Sequence, residues 1–326
     1  GHRDMLNNNF PLGRVSIPSV NQYLQLAQEQ GLYLDQILSE LELSQTLLNN
    51  NSEHICGVKF QQLLHEVINL SKDPLFGLHT AKFVQPSTYS VLGFITMNCD
   101  TLGEVISKIQ PFEKLVGDMG NTLLTEDKKN FYLSWSCQFT DTEVRRHMID
   151  NCLASWFTFS HYLLQDNHQS PLKVLLMRST PNLKQIIAYQ QLFHCSVLFN
   201  QTTNTIVFDK SLLNLPLYKG NKALRVNLET YAENQIRELN QTDIIKQTTD
   251  LIEQHLTSHQ LNQEDIAQLL GMSYKTLQRR LKQKHTHFKQ LVNQVRMKKC
   301  DEIILLKKGK LAFSGQPKDY FANKKF

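Results

Sequence analysis

The sequence predicts an α+β body followed by an all-α helix-turn-helix module. Three observations carry that reading. Apolar spacing is helical from Ser19 to about Ser71 and again up to Val116, then turns to alternation after Gly117, through Phe131, Leu133 and Trp135. Two short amphipathic helices meet at Gly271. Charge is also uneven: residues 261–326 hold 15 Lys and Arg against 5 Asp and Glu, a net +10, leaving 20 against 25, a net −5, for the rest of the chain.

The elements follow in order. VNQYLQLAQEQG reads as a helix closed by Gly31, and DQILSELEL and FQQLLHEVINLS continue with amphipathic spacing. A further helix begins after the Asp73–Pro74 break. Two more span residues 84–116, split at Asp100 and Thr101, where Thr101 and Glu104 have the spacing of a capping box. NTLLTEDKKNFYLSWSCQF reads as two strands around a Glu126–Lys129 turn. EVRRHMIDNCLASWFTFSHYLLQD is a long aromatic-rich helix, PLKVLLMRS a short buried strand and LKQIIAYQQLF a helix. CSVLFNQTTNTIVFDKSLLNLPL holds two short strands joined by a polar turn. Strands and helices mixed in this way give an α+β body. Pro216, Gly220 and the run KGNK mark its exit, and ETYAENQIRELNQ and TDIIKQTTDLIEQHL are helical again.

Composition narrows the class. No apolar run of about 18 residues exists to span a bilayer, and GHRDMLNNNF lacks the apolar stretch of a secretion signal. Met5 is read as the native start, with Gly1 to Asp4 an appended tetrapeptide. Cys56, Cys99, Cys137, Cys152, Cys195 and Cys300 are scattered without metal-ligand spacing and read as reduced thiols, mostly small core residues of a cytoplasmic protein. The chain carries no G-x-S-x-G, H-E-x-x-H, Walker A or G-x-G-x-x-G motif, so no enzyme, cofactor or metal site is expected.

The stretch NQEDIAQLLGMSYKTLQRR carries the functional reading. Ile266, Ala267 and Leu270 form one apolar stripe and Leu277 and Leu281 a second. Gly271 suits the left-handed stop between the helices, and Ser273 suits an N-cap. With the leucines inward, Lys275, Gln278, Arg279 and Lys282 share the outer face. Arg and Lys suit guanine acceptors, Gln pairs both ways with adenine, and other cations hold phosphates. The face therefore suits the major groove of double-stranded DNA.

From Leu261 to Cys300 the chain resembles the first helix-turn-helix of AraC/XylS-type transcription regulators. Ser273, Leu277, Arg279 and Leu281 match one family core, and His285, Phe288, Lys289, Leu291 and Arg296 match a second, with His285 where the family often has glycine. The resemblance implies base-reading roles for Lys275, Gln278 and Arg279. Ser273, Tyr274, Thr276, Lys282 and Lys284 are expected on or near the DNA backbone. Asp73–Phe83, Leu92–Ile109 and Phe193–Leu217 resemble the effector-binding domain of a subgroup of the same family, whose arabinose-binding label is a family name that no residue here repeats. The expected division is an effector-binding and regulatory domain over residues 5–218, a linker helix over 219–242 and the DNA-binding domain over 243–326. The resemblance implies a bacterial regulator with a small-molecule effector, a homodimer, and RNA polymerase as a further partner of an activator.

The family carries two helix-turn-helix units. Here Gly315 and Pro317 fall where the second scaffold helix should run, and proline inside a helix costs about 3 kcal/mol. The second unit is expected to be truncated or divergent, with Tyr320, Phe321 and Phe326 a packed remnant. The alternative function is then a truncated sensor or dimerisation partner with weak or no autonomous DNA binding.

Two further clusters stand out. Trp156, Phe157, Phe159 and Tyr162 mark the helix where an apolar or amphipathic effector would sit, although core packing accounts for the same aromatics. Arg145, Arg146 and His147 form a basic cluster able to meet a carboxylate, or else a solvated helix start. His161 and His168, seven residues apart, lack the i, i+4 spacing of a helical chelate.

Overall fold

The computed structural model describes residues 12–218, 220–256, 262–307 and 311–313. It opens with β1 (Arg14–Ser16) and α1 (Ile17–Glu29), whose first turn is capped by Ser16 and contains Pro18. Then come α2 (Asp35–Glu40), α3 (Gln45–Leu48), β2 (His54–Cys56) and α4 (Gly57–Ser71). β1 precedes and β2 interrupts the stretch from Ser19 to about Ser71 expected to be helical, and the two pair antiparallel with Val15 opposite Ile55. Three-residue strands are too short to show a period of two, so only their pairing reveals them.

Next are α5 (Phe76–His79), α6 (Val91–Met97), α7 (Leu102–Ser107) and α8 (Ile109–Phe112), with a 3-10 turn over Glu113–Leu115. The split at Asp100 and Thr101 is present. Thr101 Oγ1 accepts from the Glu104 amide at 3.2 Å, while Glu104 Oε2 accepts from the amide of Asp100, one residue earlier than a strict capping box.

The main sheet holds β3 (Gly120–Glu126), β4 (Asn130–Cys137), β5 (Lys173–Leu175), β6 (Ser196–Leu198) and β7 (Thr205–Asp209). Between them run α9 (Thr142–Leu164) and α10 (Leu183–Phe193). The final strand β8 (Leu311–Phe313) pairs antiparallel with β3, and the order is β6-β5-β7-β4-β3-β8. The two strands expected around the polar turn at residues 200–204 both exist. They are not neighbours, because β5 lies between them, parallel to β6 and antiparallel to β7. The β5–α10–β6 crossover is the geometry that parallel pairing requires. Tyr189, Phe60, Phe131, Phe139 and Phe193 are fully buried in the core between sheet and helices.

After residue 220 the chain is helical: α11 (Lys222–Thr242), α12 (Ile244–Gln254), α13 (Gln263–Leu269), α14 (Tyr274–Gln283) and α15 (Phe288–Lys307). The last four share a separate apolar core built on Ile244, Ile252, Ile266, Leu277, Leu281 and Leu291. Helix α11 is tied to the body by Arg225–Glu104 at 2.7 Å and Lys108–Glu229 at 2.8 Å, and its Ala232 packs on Leu92, Ile95, Phe112 and Leu115. Among the described residues no helix is long and apolar enough to cross a membrane.

The six cysteines are free thiols. Cys99 and Cys137 are buried, Cys56, Cys152 and Cys195 half-buried, and Cys300 is exposed on α15, so the core expectation holds least for the last. Gly315, Pro317, Tyr320, Phe321 and Phe326, on which the reading of the second unit rested, lie outside the described residues, as do Leu261 and the first eleven positions.

Candidate nucleic-acid interface and effector cavity

Helix α13 starts on Asn262, whose Oδ1 accepts from the Asp265 amide at 2.8 Å. It stops at Gly271, with φ +71, and the Met272 amide reaches back to the Ala267 carbonyl at 3.0 Å. Ser273 then caps α14, its Oγ accepting from the Thr276 amide at 3.2 Å. Ile266, Ala267, Leu277 and Leu281 are buried, and Leu270 packs half-buried against them. Burying a leucine is worth roughly 1.5–3 kcal/mol, so this seam fixes how α14 rolls.

The opposite face is open. Ser273, Tyr274, Lys275, Gln278, Arg279, Lys282 and Lys284 are exposed and Thr276 is half-buried. Among the described residues no ion pair engages Lys275, Arg279, Lys282 or Lys284. The face thus presents unneutralised cations around one amide.

The departure at His285 has a backbone meaning. Its φ is +59, and its amide and that of Thr286 close α14 onto the carbonyls of Lys282 and Leu281 at 2.9 and 3.1 Å. A left-handed position costs a residue with a Cβ about 1 kcal/mol. His285→Gly is expected to stabilise the helical unit by about that amount, seen as a higher melting temperature. An unchanged or lower value would mean that the His285 side chain contributes more than its backbone costs.

The second site is a cavity of about 190 Å³ between the sheet and α9. Leu133, Trp135, Ile206 and Phe208 supply one wall and Met148, Cys152, Trp156 and Phe159 the other. Three of the four aromatics expected on this helix, Trp156, Phe157 and Phe159, line it. Tyr162 does not: it is 53% exposed and stacks on Phe159 with ring centroids 5.8 Å apart, because its position falls on the outer face of α9. Polar side chains also line the cavity, but Ser19, Gln22, Thr96, Asn151 and Ser160 already hydrogen-bond within the protein. Ser155 Oγ accepts from Gln22 Nε2 at 2.8 Å, and the buried Tyr89 hydroxyl lies beside Ser155 without reaching hydrogen-bonding geometry. Glu113 accepts from the Thr122 amide at 3.2 Å, and burial pushes its carboxyl up to about 8, so it is mostly protonated at neutral pH. It keeps some accessible surface because it borders the cavity.

Sequence reasoning missed the segment of residues 109–116. On one side Ile109, Glu113 and Val116 line the cavity. On the other, Phe112 and Leu115 hold α11, and Lys114 Nζ meets Asp243 Oδ2 at 3.0 Å. Asp243 also caps α12 through the amides of Ile245 and Lys246. A pair 129 residues apart leaves no local signal in a sequence.

Of the basic cluster, His147 is fully buried rather than solvated. Burial and the neighbouring Arg146 hold its imidazole down at about 3. Because that folded value lies below the unfolded one, its contribution is complete above about pH 6.5 and is lost as the pH falls toward 3. At pH 5 the penalty relative to pH 7 is roughly 2 kcal/mol. Urea unfolding at the two pH values, repeated on His147→Gln, measures it; an equal pH dependence in both proteins would refute it. His161 and His168 do meet, ring centroids 3.1 Å apart, because the chain turns back at Gln165 with φ +47. Among the described residues no group of three or more His, Cys, Asp or Glu is arranged to hold a metal ion.

Two family models match the chain. A family model described as the N-terminal arabinose-binding domain of AraC transcription regulators matches residues 31–217. A second, described as bacterial regulatory protein, Fis family, matches residues 249–283, which include α13 and α14. The solved structure of the transcriptional regulator CdpR from Pseudomonas aeruginosa aligns over 83% of this chain and 84% of that one, with 17% identity and a TM-score of 0.46. No curated protein matches the sequence. With more than half of its length in the first match and a helix-turn-helix beyond it, the chain belongs to the AraC-type regulators with an arabinose-binding-type N-terminal domain, and is a ligand-responsive DNA-binding transcription regulator.

Proposed function

We propose that α14 enters the major groove with Lys275, Gln278 and Arg279 on base edges, while Ser273, Tyr274, Thr276, Lys282 and Lys284 position it on the backbone. One observation carries this reading: the three base-reading candidates are exposed on one side of the helix and Leu277 and Leu281 fully buried on the other. The effector is a small, largely apolar molecule with one hydrogen-bonding group, held in the cavity against α9. In support, an apolar cavity of about 150 Å³ accepts a single aromatic ring, and this one measures about 190 Å³ with Tyr89 and Glu113 as its hydrogen-bonding ends. A sugar would leave most of its hydroxyls without partners there, at a cost of about 1–3 kcal/mol each. Its occupancy is relayed through residues 109–116 to α11 and Asp243, changing the population of the DNA-competent arrangement.

The working units remain residues 5–218, 219–242 and 243–326. A single helix-turn-helix makes few phosphate contacts, so a homodimer would raise affinity through effective concentration. Leu224 and Tyr231, exposed seven residues apart on one face of α11, suit such an interface. RNA polymerase is a partner if the chain activates transcription. We place it in the cytoplasm and assign it no catalysis.

The test begins with native mass spectrometry of the full chain, which reads any co-purified ligand and the oligomeric state, followed by selection of bound sites from random duplex DNA. An enriched motif and a bound apolar mass are expected. A pool left unenriched by the ligand-loaded chain removes the DNA-reading assignment, and a polyhydroxylated ligand removes the effector assignment.

A further inference from the structure

A second cleft, of about 220 Å³, opens at the N-terminal end of α9 and shares no lining residue with the apolar cavity. The tertiary fold brings Arg178, beyond β5, to Arg145 and Arg146, so the side chains of three arginines and of Asn204 border one space. The carboxyl there is Asp150, which is buried and already engaged by the Tyr189 hydroxyl at 2.5 Å.

Their donors are not all satisfied. Arg178 gives Nη1 to Tyr189 at 2.8 Å and Nη2 to Gln185 at 3.4 Å, but its Nε is shut off from water with no acceptor. A buried donor left without an acceptor is unfavourable, the more so on a charged group. Arg146 gives Nη1 to the Pro74 carbonyl at 2.9 Å, and its Nη2 faces His147 Nε2 at 3.0 Å. His147 Nδ1 meanwhile faces the Gly77 amide at 2.9 Å. A neutral imidazole has one lone pair for these two donors, so one goes without. The backbone amide is fixed, and the Arg146 side chain is the one able to turn away. Arg145 has no side-chain partner among the described residues.

We propose that this cleft is a binding site for a small oxyanion, the carboxylate or phosphate group of a metabolite, taken by Arg145, Arg146 and Arg178. Guanidinium groups bind planar carboxylate and tetrahedral phosphate oxygens through paired N–H donors. The site is independent of the effector assigned to the apolar cavity, and it gives a basic cluster outside α14 an occupant.

Isothermal titration of the full chain in chloride-free buffer, with inorganic phosphate and succinate as separate titrants, tests it. Saturable binding of at least one titrant is expected, weakened at least tenfold in Arg145→Gln, with the preferred titrant naming the oxyanion class. Arg145 makes no side-chain hydrogen bond or ion pair among the described residues, so that variant should keep its melting temperature. Arg279→Gln, on the recognition helix, should bind as the parent does. Binding of neither titrant, binding unchanged in Arg145→Gln, or binding lost in Arg279→Gln would overturn the proposal.

Discussion

Gln278→Ala is expected to weaken binding at the preferred DNA site about tenfold to a hundredfold and to relax base choice at one position. A bidentate side-chain-to-base contact is worth about 1–3 kcal/mol of discrimination, and Gln278 is exposed on the helix face opposite the buried Leu277 and Leu281. Lys282→Ala, one turn further, should act differently. It weakens every sequence alike and lowers the slope of log affinity against log salt by about one, because a phosphate contact releases a counterion without reading a base. Fluorescence anisotropy at several salt concentrations, with selected and scrambled duplexes, separates the two. Unchanged affinity and preference in Gln278→Ala would mean that another face of α14 meets the DNA.

Gly77→Ala should damage the body far more than its single methyl suggests. A Cβ at Gly77 would stand 2.0 Å from the carbonyl oxygen of His147 and 2.6 Å from its Cα, so α5 and α9 cross with backbone against backbone. No side chain can move aside, and overpacking that shifts a helix costs about 3 kcal/mol or more. The same shift breaks the bond from the Gly77 amide to His147 Nδ1. Gly31→Ala is the contrast: nothing lies within 4 Å of its Cβ, and only φ +73 opposes it, at about 1 kcal/mol. Calorimetry should show a large fall in melting temperature for the first and a small one for the second. A Gly77→Ala protein as stable as its parent would contradict the close crossing.

Most of the exposed basic face of α14 was legible from residues 262–285. Stripe, glycine stop and cap are features of neighbouring positions, and a helix turns at a fixed angle, so the outward side chains follow from the inward ones. Only the backbone explains His285, which stands at φ +59, where a glycine would be unstrained. The body was legible as elements and not as a sheet. Strand pairing joins distant segments, and nothing local in CSVLFNQTTNTIVF says that β5 separates its two strands.

Beside the class of molecule, which came with the family resemblance, local pattern alone showed most of the helices, the strands β3 to β7 in order, and the side of α14 that faces outward. These depend on periodicity, capping and charge, which act over a few residues. Tertiary structure decided the cavity beneath α9, the segment of residues 109–116 that joins its wall to Asp243, and the meeting of Arg178 with Arg145 and Arg146. Each needs groups far apart in the chain to share a space, and burial and unmet hydrogen bonds exist only once the chain has closed around them.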